Sequence, residues 1–167
     1  MEATIYNRIS KLLVFILLAI LMATAVGYIH QRDIPKNQAP PLDGYSLQGE
    51  VLNLNEMYTG GPVLIYFWAS WCPYCRIVSP AVTELARDYQ VIGVAMQSGD
   101  DEVVKEYMQR HALEFPVVND PQGTLSTLWG IKVTPTLVIV GSDGNIAWIT
   151  SGATSKLGLS MRLKLTK

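Results

Sequence analysis

The chain has 167 residues, 49% of them hydrophobic and only 16% charged, where an ordinary soluble domain carries about 25% charged residues, so part of it is expected to face a membrane. That length holds one globular unit and a short appendage, and excludes a multidomain machine. Lys and Arg number 13 against 14 Asp and Glu, a formal charge of −1, which leaves no electrostatic footprint for nucleic acid; 2 cysteines and 2 histidines cannot build an unaided four-ligand zinc site or a multi-bridge disulfide framework.

Residues 1–11, a short segment expected in the cytoplasm, lead into residues 12–29, which carry no charge and approach the length of about 20 residues that a bilayer-spanning helix needs. A buried core helix is disfavoured because such helices seldom stay apolar on every face. A cleaved signal peptide competes, since Ala23-Thr24-Ala25 has the small-x-small form of a cleavage site. The apolar run continues past that site to Ile29, which favours a retained signal anchor. Arg8 and Lys11 are balanced by Arg32 and Lys36, so local charge does not orient the segment. A single N-terminal span ahead of a large domain usually exports that domain, and a cysteine pair suits an oxidising compartment. The expected arrangement is a single pass through the inner membrane with the globular part in the periplasm, or otherwise outside the cytoplasm.

Residues 30–41 contain Pro35, Pro40 and Pro41 among polar residues and read as an extended, poorly packed tether. One domain is expected over residues 42–167. A hairpin over 45–47 and 51–53 is followed by a wholly apolar central strand over 63–67. A helix over 73–89 carries Pro80, which should kink it. A second buried strand spans 91–95. Asp100 or Asp101 caps a helix reaching His111, with Val103, Val104, Tyr107 and Met108 as its apolar stripe. A strand over 115–118 and a helix over 124–129 precede two strands, 136–140 and 146–150, joined by a turn at 141–144. A last helix covers 155–165. Strands alternating with helices and ending in a hairpin predict an α/β fold with a mixed central sheet flanked by helices.

The chemistry concentrates where the central strand gives way to a helix, at Trp71-Cys72-Pro73-Tyr74-Cys75. The first helical turn offers unpaired amide hydrogens and the positive end of the helix dipole, both of which stabilise a thiolate at Cys72. Cys75, one turn further in, should be more buried and suited to attack a mixed disulfide already formed on Cys72. Pro73 fits the first turn, where its missing donor costs little. A purely structural disulfide in so short a loop adds little stability, and two inert thiols would be odd in an exported protein. Two thiolates also suit Cu(I), so a copper-binding module remains the alternative. His30, at the membrane edge, and His111, at a helix end, give it little support. Neither a cofactor nor a resident metal is expected.

The segment WASWCPYC, Pro80, and Val133-Thr134-Pro135-Thr136 ahead of an apolar strand resemble the thioredoxin superfamily. The stretch Ala39-Pro40-Pro41-Leu42-Asp43-Gly44, with Phe115-Pro116-Val117-Val118-Asn119-Asp120 and Trp129-Gly130-Ile131, is similar to the membrane-anchored TlpA/ResA branch and, within it, to the suppressor-of-copper-sensitivity D proteins. The resemblance covers residues 39–167. It implies a thioredoxin-like fold, a redox-active Cys72–Cys75 disulfide, and a cis bond before Pro135. The Thr134–Pro135 loop would lie against Cys72 and bind an extended substrate segment, with Trp71, Pro73 and Tyr74 as an apolar docking rim. It also implies protein partners bearing disulfides or thiols, a reductase recharged by a membrane electron-transfer protein, and a role in copper tolerance or cytochrome c maturation. Two departures stand out. Thioredoxin has a buried Asp in the strand before its motif, where this sequence has Tyr66, so the base for the resolving cysteine is missing and slower exchange is expected. The Pro73-Tyr74 pair occurs in glutaredoxins, which keeps glutathione open as a substrate, but the surrounding WASWC and VTPT segments resemble thioredoxin and TlpA proteins and argue against it.

Overall fold

The protein is described by a computed structural model that covers residues 2–167, and the side chains of all of these except residues 2–7, 9, 10 and 30; the readings of Met1 and of the His30 side chain lie outside the described residues. Helix α1 (Glu2–Gln31) contains a stretch, Lys11–Ile29, long and apolar enough to cross a membrane, and none of it is buried within the protein. Phe15 is 72% exposed and Met22 69%. A core helix would hide such side chains, so the apolar surface of α1 is left for another environment.

Strands β1 (Asp43–Tyr45) and β2 (Val51–Asn53) form a small antiparallel hairpin. Its first strand sits earlier than the expected 45–47, because the Leu47 amide turns away to donate to the Val117 carbonyl at 2.7 Å. A one-turn helix, α2 (Leu54–Met57), follows.

The main sheet contains β3 (Val63–Trp68), β4 (Gln90–Met96), β5 (Val117–Asp120), β6 (Thr136–Val140) and β7 (Ile146–Ser151). Their order is β5-β4-β3-β6-β7. Strands β3, β4 and β5 are parallel, whereas β6 and β7 run antiparallel. The apolar run of β3 occupies the centre, and all six residues are buried. Alternation divides them between two cores: Leu64, Tyr66 and Trp68 pack with α3 (Pro73–Leu85), α4 (Asp101–Arg110) and α6 (Lys156–Leu165). Val63, Ile65 and Phe67 pack on the other side with Leu42, Leu52, Leu54 and Trp129, the last of these just beyond α5 (Thr124–Leu128).

Two expected boundaries shift for identifiable reasons, and one residue leaves its expected face. The helix expected over 73–89 ends at Leu85, where Arg87 and Asp88 take the tighter i−3 bonds to Glu84 and Leu85 before the chain enters β4. It runs through Pro80 unbroken. The strand expected from Phe115 starts at Val117, since Pro116 has no amide hydrogen to give the ladder and offers only its carbonyl, to the Gly93 amide at 2.8 Å. Val103, expected in the apolar stripe of α4, is 46% exposed, while Val104, Tyr107 and Met108 are buried.

The expected loose tether is corrected more substantially. Ile34 is only 2% exposed and belongs to the core beside Trp129 and Ile131. The Ala39 amide donates to the Gly144 carbonyl at 2.9 Å and the Ile146 amide to the Asn37 carbonyl at 2.8 Å. Prolines make this stretch extended, but an extended chain can still bond a sheet edge and insert a side chain, so residues 33–39 are a strap on the domain.

Candidate functional site: a dithiol at a helix start

Cys72 is the N-cap of α3, with extended backbone (φ −86°, ψ 114°) and Pro73 in the first turn. Its Sγ accepts the Cys75 amide hydrogen at 3.2 Å, so one of the orphan donors of the helix start points at the sulfur. On its other side the Cys72 thiol donates to the Thr134 carbonyl at 3.4 Å. The Thr134–Pro135 peptide is cis. Loss of the thiol proton removes the bond to Thr134 and keeps the bond from the Cys75 amide, so deprotonation frees one flank of the sulfur for a reacting partner while a donor still supports its charge.

Both cysteines are free thiols. Cys72 is 2% exposed and Cys75 fully buried, the order of burial that the spacing predicts, though Cys72 is more enclosed than its expected role suggests. Burial, followed by its contact with the Cys72 side chain, raises the Cys75 thiol above the ordinary cysteine range. Among the described residues no cluster of three or more His, Cys, Asp or Glu side chains could hold a metal ion. His111 lies on α4's end, bonded through Nδ1 to the Tyr107 carbonyl and stacked on the Tyr107 ring.

Tyr66 occupies the sheet position facing the buried sulfur. Its hydroxyl donates to the Cys75 carbonyl at 3.3 Å and shares a hydrogen bond with Ser79 Oγ at 2.9 Å. Burial, then the neighbouring Cys75, pushes the phenol upward in pKa, so it holds its proton and cannot serve as a base at neutral pH. Gly93, the Tyr66 partner in β4, makes room for Phe115: a Cβ there would lie 2.7 Å from the Phe115 ring, and that ring meets Tyr66 edge-on at 6.0 Å between centroids.

The expected rim is exposed around this centre. Trp71 and Tyr74 are each 58% exposed, Pro73 is exposed, Thr134 is half-buried and Pro135 is buried. Trp68, by contrast, is core, packed on Tyr107 at 5.4 Å. Sequence reasoning missed what holds Trp71 outward: its Nε1 donates to the Gln97 carbonyl at 3.0 Å, and Gln97 has a left-handed φ of +46°. The neighbouring Ser70 amide donates to Ser98 Oγ at 3.0 Å. Nothing local to Gln97 or Ser98 signals this role. Ser79 could have been found, since it lies one turn after Cys75 on the same buried helix face.

A dithiol with one sulfur at a helix start and its partner beneath can form a mixed disulfide and then close on itself. Known proteins similar to this chain include thiol-disulfide oxidoreductases. The AhpC/TSA family model matches residues 35–149. A thioredoxin-like protein of Haemophilus influenzae is 37% identical over 94% of this chain and 91% of its own length. The thiol-disulfide oxidoreductase ResA of Bacillus cereus is 27% identical over 93% of this chain and 96% of its own. Among solved structures, a thiol:disulfide interchange protein of the thioredoxin family from Chlorobium tepidum superposes with a TM-score of 0.67 at 23% identity, covering 80% of this chain and 98% of that one, which shows the shared fold. The chain therefore belongs to the AhpC/TSA family, with a thioredoxin-like architecture.

Proposed function

We propose that this protein is a membrane-tethered thiol-disulfide oxidoreductase acting outside the cytoplasm, in which Cys72 is the nucleophile and Cys75 the resolving thiol. The observation that carries the reading is the pair of contacts at Cys72 Sγ, an amide donor from Cys75 on one side and the Thr134 carbonyl on the other. The Cys72 thiolate attacks a substrate disulfide, forming a mixed disulfide and expelling one substrate thiolate, which takes up a proton. Cys75 then loses its proton and attacks Cys72 Sγ, expelling the second substrate thiolate and leaving the Cys72–Cys75 disulfide. Two electrons pass to the substrate. Trp71, Pro73 and Tyr74 supply the docking rim, and the Thr134–Pro135 backbone receives the substrate segment.

Residues 12–29 anchor the protein by a single pass through the inner membrane, a reading supported by the exposed apolar surface of α1. A membrane electron-transfer partner returns the disulfide to the dithiol, and the reductase serves copper tolerance or cytochrome c maturation; the resemblance to the TlpA/ResA branch and to the suppressor-of-copper-sensitivity D proteins supports both parts. The full-length Cys75→Ser variant, expressed in cells, should accumulate mixed disulfides with partner proteins through Cys72, whereas Cys72→Ser should accumulate none. Equal trapping by both variants, or by neither, overturns the assignment.

A further inference from the structure

The strap that leads from α1 meets the chain immediately before the loop facing Cys72. Asp33, just beyond the end of α1, pairs with Lys132. Ile34 is buried in the same core as Trp129 and Ile131. Between those two lies Gly130, with φ +66°, where a Cβ would fall 2.2 Å from the Asp33 carbonyl oxygen. Backbone meets backbone there, and a residue with a side chain would force the two segments apart. The strap is further fastened to the β6–β7 hairpin by the bonds from Ala39 and Ile146.

The segment 130–132 runs directly into Val133 and Thr134, and the Thr134 carbonyl accepts from Cys72 Sγ. Beyond Thr134 the chain is held by the sheet: the Gly152 amide donates to the Pro135 carbonyl at 2.8 Å, and Thr136 Oγ1 donates to the Val133 carbonyl at 2.8 Å. The loop thus hangs between the sheet on one side and the strap contacts on the other.

We propose that the strap at residues 33–34 is a positioning element for the Thr134–Pro135 loop, with Ile34 and the Gly130 approach as its working contacts. This inference rests on the oxidoreductase reading above. A protein substrate, which must lie along the loop backbone as well as reach the sulfur, depends on the strap. A small aromatic disulfide, which needs the sulfur and little of the loop, depends on it far less. Ile34 and Gly130 touch no reacting atom and act through Lys132–Thr134.

The test uses the reduced full-length chain in detergent and compares its rates of oxidation by insulin and by dithiobis(nitrobenzoic acid). For Ile34→Ala and for Gly130→Ala the ratio of insulin rate to small-disulfide rate should fall by about fivefold or more, because loop misplacement weighs on the substrate that uses the loop. Ile34→Val, which keeps most of the plug, should return the ratio to near that of the unaltered chain. Ile34→Ala alone decides the matter if Gly130→Ala does not fold. An unchanged ratio in a variant whose circular dichroism is native overturns the positioning role, since a merely less stable protein slows toward both oxidants together. An unaltered chain inert toward both disulfides would overturn the oxidoreductase reading itself.

Discussion

The resolving step should carry an unusual pH signature, because Cys75 must lose a proton in a place built to keep it. Cys75 is fully buried, and burial followed by the neighbouring Cys72 side chain raises its thiol. The buried hydroxyl facing it, Tyr66, is itself raised and retains its proton. Only the thiolate attacks. An ordinary cysteine ionises near about 8.5, so its reactivity levels off around that pH, whereas a raised thiol gains about tenfold in thiolate for each pH unit well beyond it. Mixing reduced protein with excess dithiobis(nitrobenzoic acid) in a stopped-flow cell gives two releases of thionitrobenzoate, the first from attack by Cys72 and the second from closure by Cys75. The second phase should accelerate about tenfold from pH 7 to 8 and again about tenfold from 8 to 9, with no plateau. It should vanish in Cys75→Ser. Forming the mixed disulfide removes the Cys72 thiol but leaves Cys75 enclosed by α3 and β3, so the larger cause of the shift persists. A plateau at or below about pH 8.5 would show that Cys75 behaves as an ordinary thiol and would refute the reasoning.

Other consequences are open to simpler measurements. Tyr66→Phe removes the hydroxyl that shares a bond with buried Ser79 Oγ and should cost about 1–3 kcal/mol in denaturant unfolding by leaving a buried polar group unpartnered; a cost near zero would show that water or the helix backbone takes over. Gly93→Ala pushes a methyl group against the Phe115 ring and Val117 and should destabilise by about 1–3 kcal/mol through overpacking of the sheet beneath Tyr66, read as a lowered thermal midpoint. The raised Cys75 thiol also links stability to pH. Its contribution is fully present below the unfolded thiol's value and is lost as pH rises through the folded one, because the unfolded chain then binds fewer protons than the native state. Reduced protein should therefore lose up to about 1.4 kcal/mol per pH unit above about pH 8.5 relative to Cys75→Ser, and parallel stability curves for the two would contradict this.

The elements legible in the sequence are those whose causes lie within a few residues. The apolar run from Val63 announces a strand covered on both faces, and all six residues of β3 are buried. Helix starts are equally local: Asp100 accepts from the Val103 amide and Ser155 from the Gly158 amide, as capping residues at those positions should. The dithiol belongs to the same class, because the spacing of Cys72 and Cys75 and the following Pro73 set the helix start and the contact from the Cys75 amide to Sγ together.

What was not legible depends on partners far along the chain. Pro35 and its polar neighbours are compatible with a loose linker and with a docked strap alike, and the choice is made by Trp129, Ile131 and Gly130, which offer Ile34 a place in the core and the Asp33 carbonyl a surface without a side chain. The outward pose of Trp71 likewise follows from the left-handed turn at Gln97, beyond the end of a different strand. These nonlocal contacts gather on the loops around the two sulfurs. The reacting atoms are thus written locally, while the surfaces that meet a partner are set by tertiary packing, so a short motif can identify the chemistry and still leave its substrate unnamed.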